Sequence, residues 1–355
     1  MLSVLISGDR PRSVVLGVLL MAILIGLATA PFLFPGVRSL ETAARICVFV
    51  VLVASYDLML GYTGIVSFAH TMFFGLGAYG VALAVDGMER GFVPVVLGAV
   101  LGALAAAVLA FAIALFSLRV RAIFFAMITL AVASAVAVLV SQLSGLTGGE
   151  DGMTLRIPRE LTPAFKLLNE PVLGVRFNGK LLNYYLVFSV SLVLFLVMLR
   201  VVNSPFGRVL QAIRENDFRA EAIGYRVVWY RTVATCLSAV MAALAGSLYA
   251  LWLRYVGPDT VLSFEIMLDI LLMTVIGGMG TMYGAAVGAT LFVLAQTYLQ
   301  SLMGVAAVAL ADVPLLPALL NPDRWLLWMG VLFILSVYFF PTGIVGRLRE
   351  SVRSG

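Results

Sequence analysis

The chain has 355 residues, of which 62% are hydrophobic and 12% charged, and its mean hydropathy is +1.09. Soluble domains carry roughly 45–50% apolar and about 25% charged residues, so no water-soluble core absorbs this much apolar surface without exposing patches that drive association. A net charge of +5 does not point to nucleic acid, because the 23 Lys and Arg are scattered between apolar blocks rather than clustered with aromatics.

Lipid is therefore the expected solvent. A hydrocarbon core of about 30 Å needs roughly 20 helical residues. Runs of that size, marked off by charge, Pro and Gly, predict about ten transmembrane helices at 14–34, 42–60, 65–85, 92–116, 121–141, 183–201, 231–252, 264–277, 282–303 and 325–341. The first run follows Arg10 and Arg12 and contains Ala28-Thr29-Ala30, a signal-peptide pattern. Its continuation through Pro31, Phe32, Leu33 and Phe34 favours a retained helix. The eighth run is short. Cys47 and Cys236 fall inside apolar runs with no metal-type spacing and read as packing residues.

An even count places both termini on one side. With the termini in the cytoplasm, the inner loops hold Arg10, Arg12, Arg119, Arg121, Arg200, Arg208, Arg214, Arg219, Arg226, Arg231, Arg347, Arg349 and Arg353. The outer loops then hold the acids Asp86, Glu89, Glu150, Asp151, Glu160, Glu170, Asp259, Asp312 and Asp323. The periplasmic loop 142–182, with Arg156, Arg159, Lys166, Arg176 and Lys180, is the exception. The expected fold class is all-α: a polytopic membrane protein, a single transmembrane domain over 1–355 with a cytoplasmic tail at 347–355. Its two halves, 1–141 and 183–346, have five spans each and opposite orientations. Inverted repeats of that kind place a solute path at their interface.

Each half contains one glycine-rich interruption. The first has Gly61, Thr63 and Gly64 with Gly75, Gly77 and Gly80; the second has Gly277, Gly278 and Gly280 with Gly284 and Gly288. Two readings stay open, close helix packing through small residues and unwound backbone lining a cavity. Between Asp57 and Gly80 the sequence also places Ser67, Thr71 and the only histidine, His70. Polar groups at membrane depth are costly and are functional candidates by default. Free N–H groups at a helix start can meet a solute carboxylate, with Ser67, Thr71 or His70 adding hydrogen bonds; His70 taken alone reads better as a hydrogen-bonded packing residue. Glu265 and Asp269, four apart in the eighth span, share one helix face and can line an outer entrance, or be an interfacial acid and a paired one.

The inner segment 205–224 reads as an amphipathic helix that starts at Pro205 and stops at Gly224. Its polar face mixes Arg208, Arg214 and Arg219 with Glu215, Asp217 and Glu221, which favours docking to a partner over lying on lipid headgroups. Gly174-Val-Arg-Phe-Asn-Gly-Lys180 fits a nucleotide loop only superficially. Leu181 stands where the Mg²⁺-binding hydroxyl is needed, and the run falls in the outer loop. Any ATP is bound by another chain.

These residues resemble the branched-chain amino-acid permease family of ABC importers, specifically the longer of its two permease subunits. The resemblance spans about residues 45 to 345 and rests on four blocks in order. They are Leu60–His70 with Phe74–Tyr79; Phe206–Glu215 with Ala220–Gly224; Val275–Gly280 with Tyr283, Gly284, Gly288 and Ala289; and Pro341–Gly346. It implies a heteromeric importer of the bacterial inner membrane: a second permease subunit, two cytoplasmic ATPase subunits that hold ATP and Mg, and a periplasmic solute-binding protein. This chain binds no cofactor or metal and does no bond chemistry. The resemblance makes 205–224 the ATPase-coupling helix, with Gly207, Arg208, Arg214, Glu215, Glu221, Ala222 and Gly224. Phe68 and Ala69 stand where the family usually has Gly or Ala, and Ala285 where Pro often follows. The implied solutes are branched-chain amino acids, although related permeases serve urea, short amides or aromatic acids. Two rivals come from the residues themselves: an ion-coupled secondary transporter using Asp57, Glu265 or Asp269, and an intramembrane enzyme. Against the enzyme stand the single histidine and the lack of any clustered acid–base set.

Overall fold

Long apolar runs with no polar face leave the backbone no partner but itself, and they fold as helices. The computed structural model describes residues 13–33, 36–117, 122–166, 177–309, 321–340 and 342–350. Arg10, Arg12, Phe34, Arg119, Arg121, Glu170, Gly174, Arg176, Asp312, Pro341, Arg353 and the tail beyond Glu350 lie outside the described residues. The helices are α1 (Val14–Leu33), α2 (Val37–Thr63), α3 (His70–Gly87), α4 (Phe92–Ser117), α5 (Ala122–Gln142) and α6 (Gly179–Val202). Then follow α7 (Pro205–Glu215), α8 (Asp217–Ala222), α9 (Val227–Leu253), α10 (Phe264–Gly277), α11 (Met282–Ala309), α12 (Trp325–Phe339) and α13 (Gly343–Glu350).

Among the described residues nine helical segments are long and apolar enough to cross a membrane. The tenth expected span is present as α3 but falls short in hydropathy. It carries His70, Asp86 and several glycines, and most of it is buried by other helices, so it needs no lipid-compatible surface. The eighth span reaches full length because a single turn at Pro258–Val261 extends α10 to 258–277.

α2, α3, α9 and α11 form the buried centre, whereas α1, α5 and α12 leave most of their surface outside the protein. Close approach at the centre needs missing side chains: a Cβ at Gly77 would meet the Ala243 carbonyl oxygen at 1.8 Å, and one at Gly246 that of Phe74 at 1.9 Å. Polar caps set several starts. Asn178 accepts from the Leu181 N–H at 3.1 Å, and Ser263 from the Ile266 N–H at 3.4 Å.

The expected single helix over 205–224 is instead two helices broken at Asn216. Its backbone is extended (φ −162°, ψ 103°), and its side chain caps α8 by accepting the Arg219 N–H at 2.9 Å. The 142–182 loop is also more ordered than its sequence suggests. Strand β1 (Met153–Thr154) pairs antiparallel with β2 (Tyr255–Val256), with Met153 opposite Val256, which ties the loop to the end of α9. The bundle thus has one end bearing α7, α8 and α13 and an opposite end bearing the β pair.

Candidate functional site: the junction of the helix breaks

The two glycine readings divide by residue. Gly75, Gly77 and Gly80 sit inside α3, and Gly284 and Gly288 inside α11, as packing positions. Real breaks occur at Gly64, where φ is +73° as α2 ends, and at Gly278 and Gly280, where φ is +114° and +80° as α10 ends. These left-handed values are accessible chiefly to glycine.

The two breaks meet. Asp57, buried in α2, accepts the Gly280 N–H at 2.8 Å, pairing a donor in the turn between α10 and α11. Gly61 lies against the same turn: a Cβ there would stand 2.0 Å from Asp57 Oδ1 and 2.3 Å from the Gly280 nitrogen. Arg214, near the end of α7, donates from Nη1 to the Gly61 carbonyl, and a Cβ at Gly280 would sit 2.5 Å from that same nitrogen. On the far side, Gly343 packs so closely that a Cβ on it would lie 2.2 Å from the Gly278 Cα. Segments separated by most of the chain therefore converge at one point, and an arginine from the short polar helix touches both breaks.

Thr63, Ser67 and His70 lie near this junction, each with a hydrogen bond inside the protein, whereas Glu265 and Asp269 lie toward the other end. The Thr63 hydroxyl donates to the Met59 carbonyl at 2.6 Å, and Ser67 accepts the Ala69 N–H at 3.2 Å. His70 is fully buried and edge-on to Tyr56, with ring centroids 4.8 Å apart. Its Nε2 lies 2.9 Å from Ser238 Oγ, and that hydroxyl donates to the Ser55 carbonyl at 2.5 Å. Since the serine proton is spent on Ser55, His70 Nε2–H is the donor to Ser238. Phe68 and Thr71, flanking His70, do line a cavity of about 460 Å³ between α5 and the start of α10. Glu265 is exposed, and Asp269 accepts from Gln296 Nε2 at 3.4 Å, the paired-acid reading.

α7 and α8 project from this end. Leu210, Ile213 and Ala220 are buried and Gly207 packs on the Val202 backbone, so the inner face is anchored. Arg208, Glu215, Glu221, Ala222 and Gly224 face outward, and with them Phe218 is 82% and Ile223 68% exposed. Gly224 has φ +98° and ends α8 as expected. Sequence reasoning missed the link from Arg214 to both breaks, which depends on how distant helices register. It also missed Arg45 and Arg254 at the opposite end. Arg38, Glu41, Thr42 and Arg45 fall at i, i+3, i+4 and i+7, a polar helical stripe that could have revealed the true start of α2.

A polytopic helical bundle built around paired helix breaks, with an anchored polar helix touching both, belongs to the class of membrane transport permeases. The chain is a member of the family described as branched-chain amino acid transport system, permease component, whose profile matches residues 38–337. Three of the four sequence blocks lie inside that match, and Pro341–Gly346 lies past its end. It is similar to the high-affinity branched-chain amino acid transport system permease protein LivM of Salmonella typhimurium, at 24% identity over 348 residues, 94% of this chain and 76% of that protein. The protein of the same description from Escherichia coli is 23% identical over the same shares. A probable branched-chain amino acid transport permease protein LivM of Methanocaldococcus jannaschii is 29% identical over 163 residues, 45% of each chain. No solved structure matches the chain. The resemblance to the longer permease subunit stands, and with it a multi-pass membrane permease of ABC type that is not itself catalytic.

Proposed function

We propose that this chain is the membrane-spanning subunit of an ATP-driven importer for branched-chain amino acids, working with a second permease subunit, two ATPase subunits and a periplasmic binding protein. ATP and Mg belong to the ATPase subunits. The termini and α7–α8 face the cytoplasm, and the halves 1–141 and 183–346 act as inverted repeats around a path that includes the breaks at Gly61–Gly64 and Gly277–Gly280. The carrying observation is Arg214, which donates to the Gly61 carbonyl beside Gly280 while standing on the helix pair that offers Phe218 and Ile223 outward. ATPase closure moves α7 and α8, and through Arg214 the movement reaches both breaks at once. Arg214 is exposed, so its charge-assisted hydrogen bond is screened to about 0.5–1.5 kcal/mol, still enough to bias two nearly balanced arrangements of such a junction.

The test is reconstitution of the whole assembly in proteoliposomes with branched-chain amino acids outside and ATP inside. Replacing Glu221 and Gly224 together is expected to abolish uptake and solute-stimulated ATP hydrolysis while membrane insertion stays intact. Normal uptake by that variant, or gradient-driven flux by this chain without any ATPase, would overturn the reading.

A further inference from the structure

At the bundle end opposite α7, a cavity of about 590 Å³ opens between the starts of α2 and α6, the end of α9 and the middle of α11. Its lining contains four cations, Arg38, Arg45, Lys180 and Arg254, and a single acid, Glu41. Lys180 uses that acid, at 3.3 Å. Among the described residues no carboxylate lies within ion-pair distance of Arg38, Arg45 or Arg254, and the acid that feels the Arg45 charge, Asp269, sits behind the Gln296 side chain and is hydrogen-bonded to it. Arg38 donates to the Thr297 carbonyl at 2.5 Å. Arg45 lies over the Phe49 ring, and its Nε is buried without a hydrogen-bond partner, as is Oε1 of Gln296 on the facing wall. Arg254 is the only described non-glycine residue with a left-handed backbone (φ 58°), held there by its carbonyl, which accepts the Leu155 N–H at 2.8 Å. Tyr249 and Trp252 supply apolar wall.

Arg45, Lys180 and Arg254 are half-buried and Arg38 is exposed, and a cleft lined by four cations and one acid focuses positive potential inward. A guanidinium presents a planar fork of donors that fits a carboxylate in two-point contact. We propose that this cavity is a carboxylate-binding vestibule, in which Arg45 and Arg254 take the carboxylate of a small solute and Glu41 faces the ammonium of a zwitterion. The inference rests on reading the chain as a small-solute permease, and it narrows the solute. An amino acid or an aromatic acid brings a carboxylate for the guanidinium forks inside the cavity, whereas urea and primary amides do not.

The test is calorimetric titration of the full-length chain in nanodiscs with L-leucine, 4-methylpentanoate and 4-methylpentanamide. The two carboxylates are expected to bind at least tenfold more tightly than the amide. Arg45→Gln and Arg254→Gln should each weaken leucine binding at least tenfold. Arg90→Gln, exposed at the same end but outside the cavity, should leave it unchanged. Equal binding of acid and amide by the unmodified chain, absence of binding by all three probes, or leucine binding unaffected in both arginine variants overturns the proposal. The acid–amide comparison needs no variant, so a misfolded mutant does not spoil it. The two readings also fail separately. ATP-driven leucine uptake by an assembly whose chain fails this titration removes the vestibule and leaves the permease, and binding without ATP-driven uptake does the reverse.

Discussion

Asp57 and Gly280 stand on opposite sides of the 142–182 loop in sequence, yet Asp57 Oδ1 accepts the Gly280 N–H at 2.8 Å. The buried carboxylate pairs an N–H of the turn between α10 and α11, at a half-buried glycine. Asp57→Ala should therefore cost about 1–3 kcal/mol of stability by orphaning that N–H, and Asp57→Asn, which keeps an acceptor oxygen, should cost less. Thermal unfolding in nanodiscs reads the order. An alanine variant that melts with the unmodified chain would show that the contact holds nothing together.

Gly61 gives a steric counterpart. A methyl group there meets Asp57 Oδ1 and the Gly280 backbone within 2.3 Å, so Gly61→Ala must push the two breaks apart. The expected loss is about 1–3 kcal/mol, the usual range for forced overpacking. Gly26→Ala, in α1, where nothing lies within 4 Å of the new atom, should be neutral or stabilising. Equal melting of the two variants would refute the close approach.

Ser238→Ala removes the acceptor of the His70 Nε2–H and leaves a fully buried donor unpaired. About 1–3 kcal/mol of stability should be lost. Uptake per folded molecule in the reconstituted importer should stay within about twofold if His70 is a packing residue. Selective loss of transport with unchanged melting would instead place this pair on the solute path.

Phe218 and Ile223 face away from the bundle, so Phe218→Ser with Ile223→Ser should leave melting within about 0.5 kcal/mol of the unmodified chain. Co-purification with the ATPase subunits should fall sharply, because exposed apolar side chains at the tip of an anchored helix are what a groove on a partner would bury. Undiminished association would move the docking surface elsewhere.

Most spans were legible because an uninterrupted apolar run has only one satisfactory fold in lipid. Their ends were less so. α2 begins at Val37 rather than 42 because Arg38 and Glu41 resemble loop residues until the cavity they line is known. α6 and α9 likewise begin earlier than expected, at Gly179 and Val227. The break at Asn216 carried a local signal, an Asn-Asp pair suited to a helix cap, which the helical spacing around it masked. Gly64 and Gly280 as breaks, and Gly77 and Gly288 as packing, look alike in sequence. Only the backbone they oppose separates them. The junction itself was not legible, since Arg214, Gly61 and Gly343 share no local pattern and are joined by tertiary register alone.

The modest hydropathy of α3 bears on how the chain is made. A segment carrying His70, Asp86 and several glycines has little reason to leave the translocon for lipid on its own account. The neighbours that cover it are α4, synthesised next, and α9, whose Gly246 and Ser238 contact it only after residue 227 has emerged. During the interval α3 must shelter against α2 and α4 or wait at the channel wall. Nascent chains halted before α9 should then leave the 88–91 turn poorly translocated, and chains extended past Leu253 should carry it fully across. That result would show a late helix rescuing an early one during biogenesis.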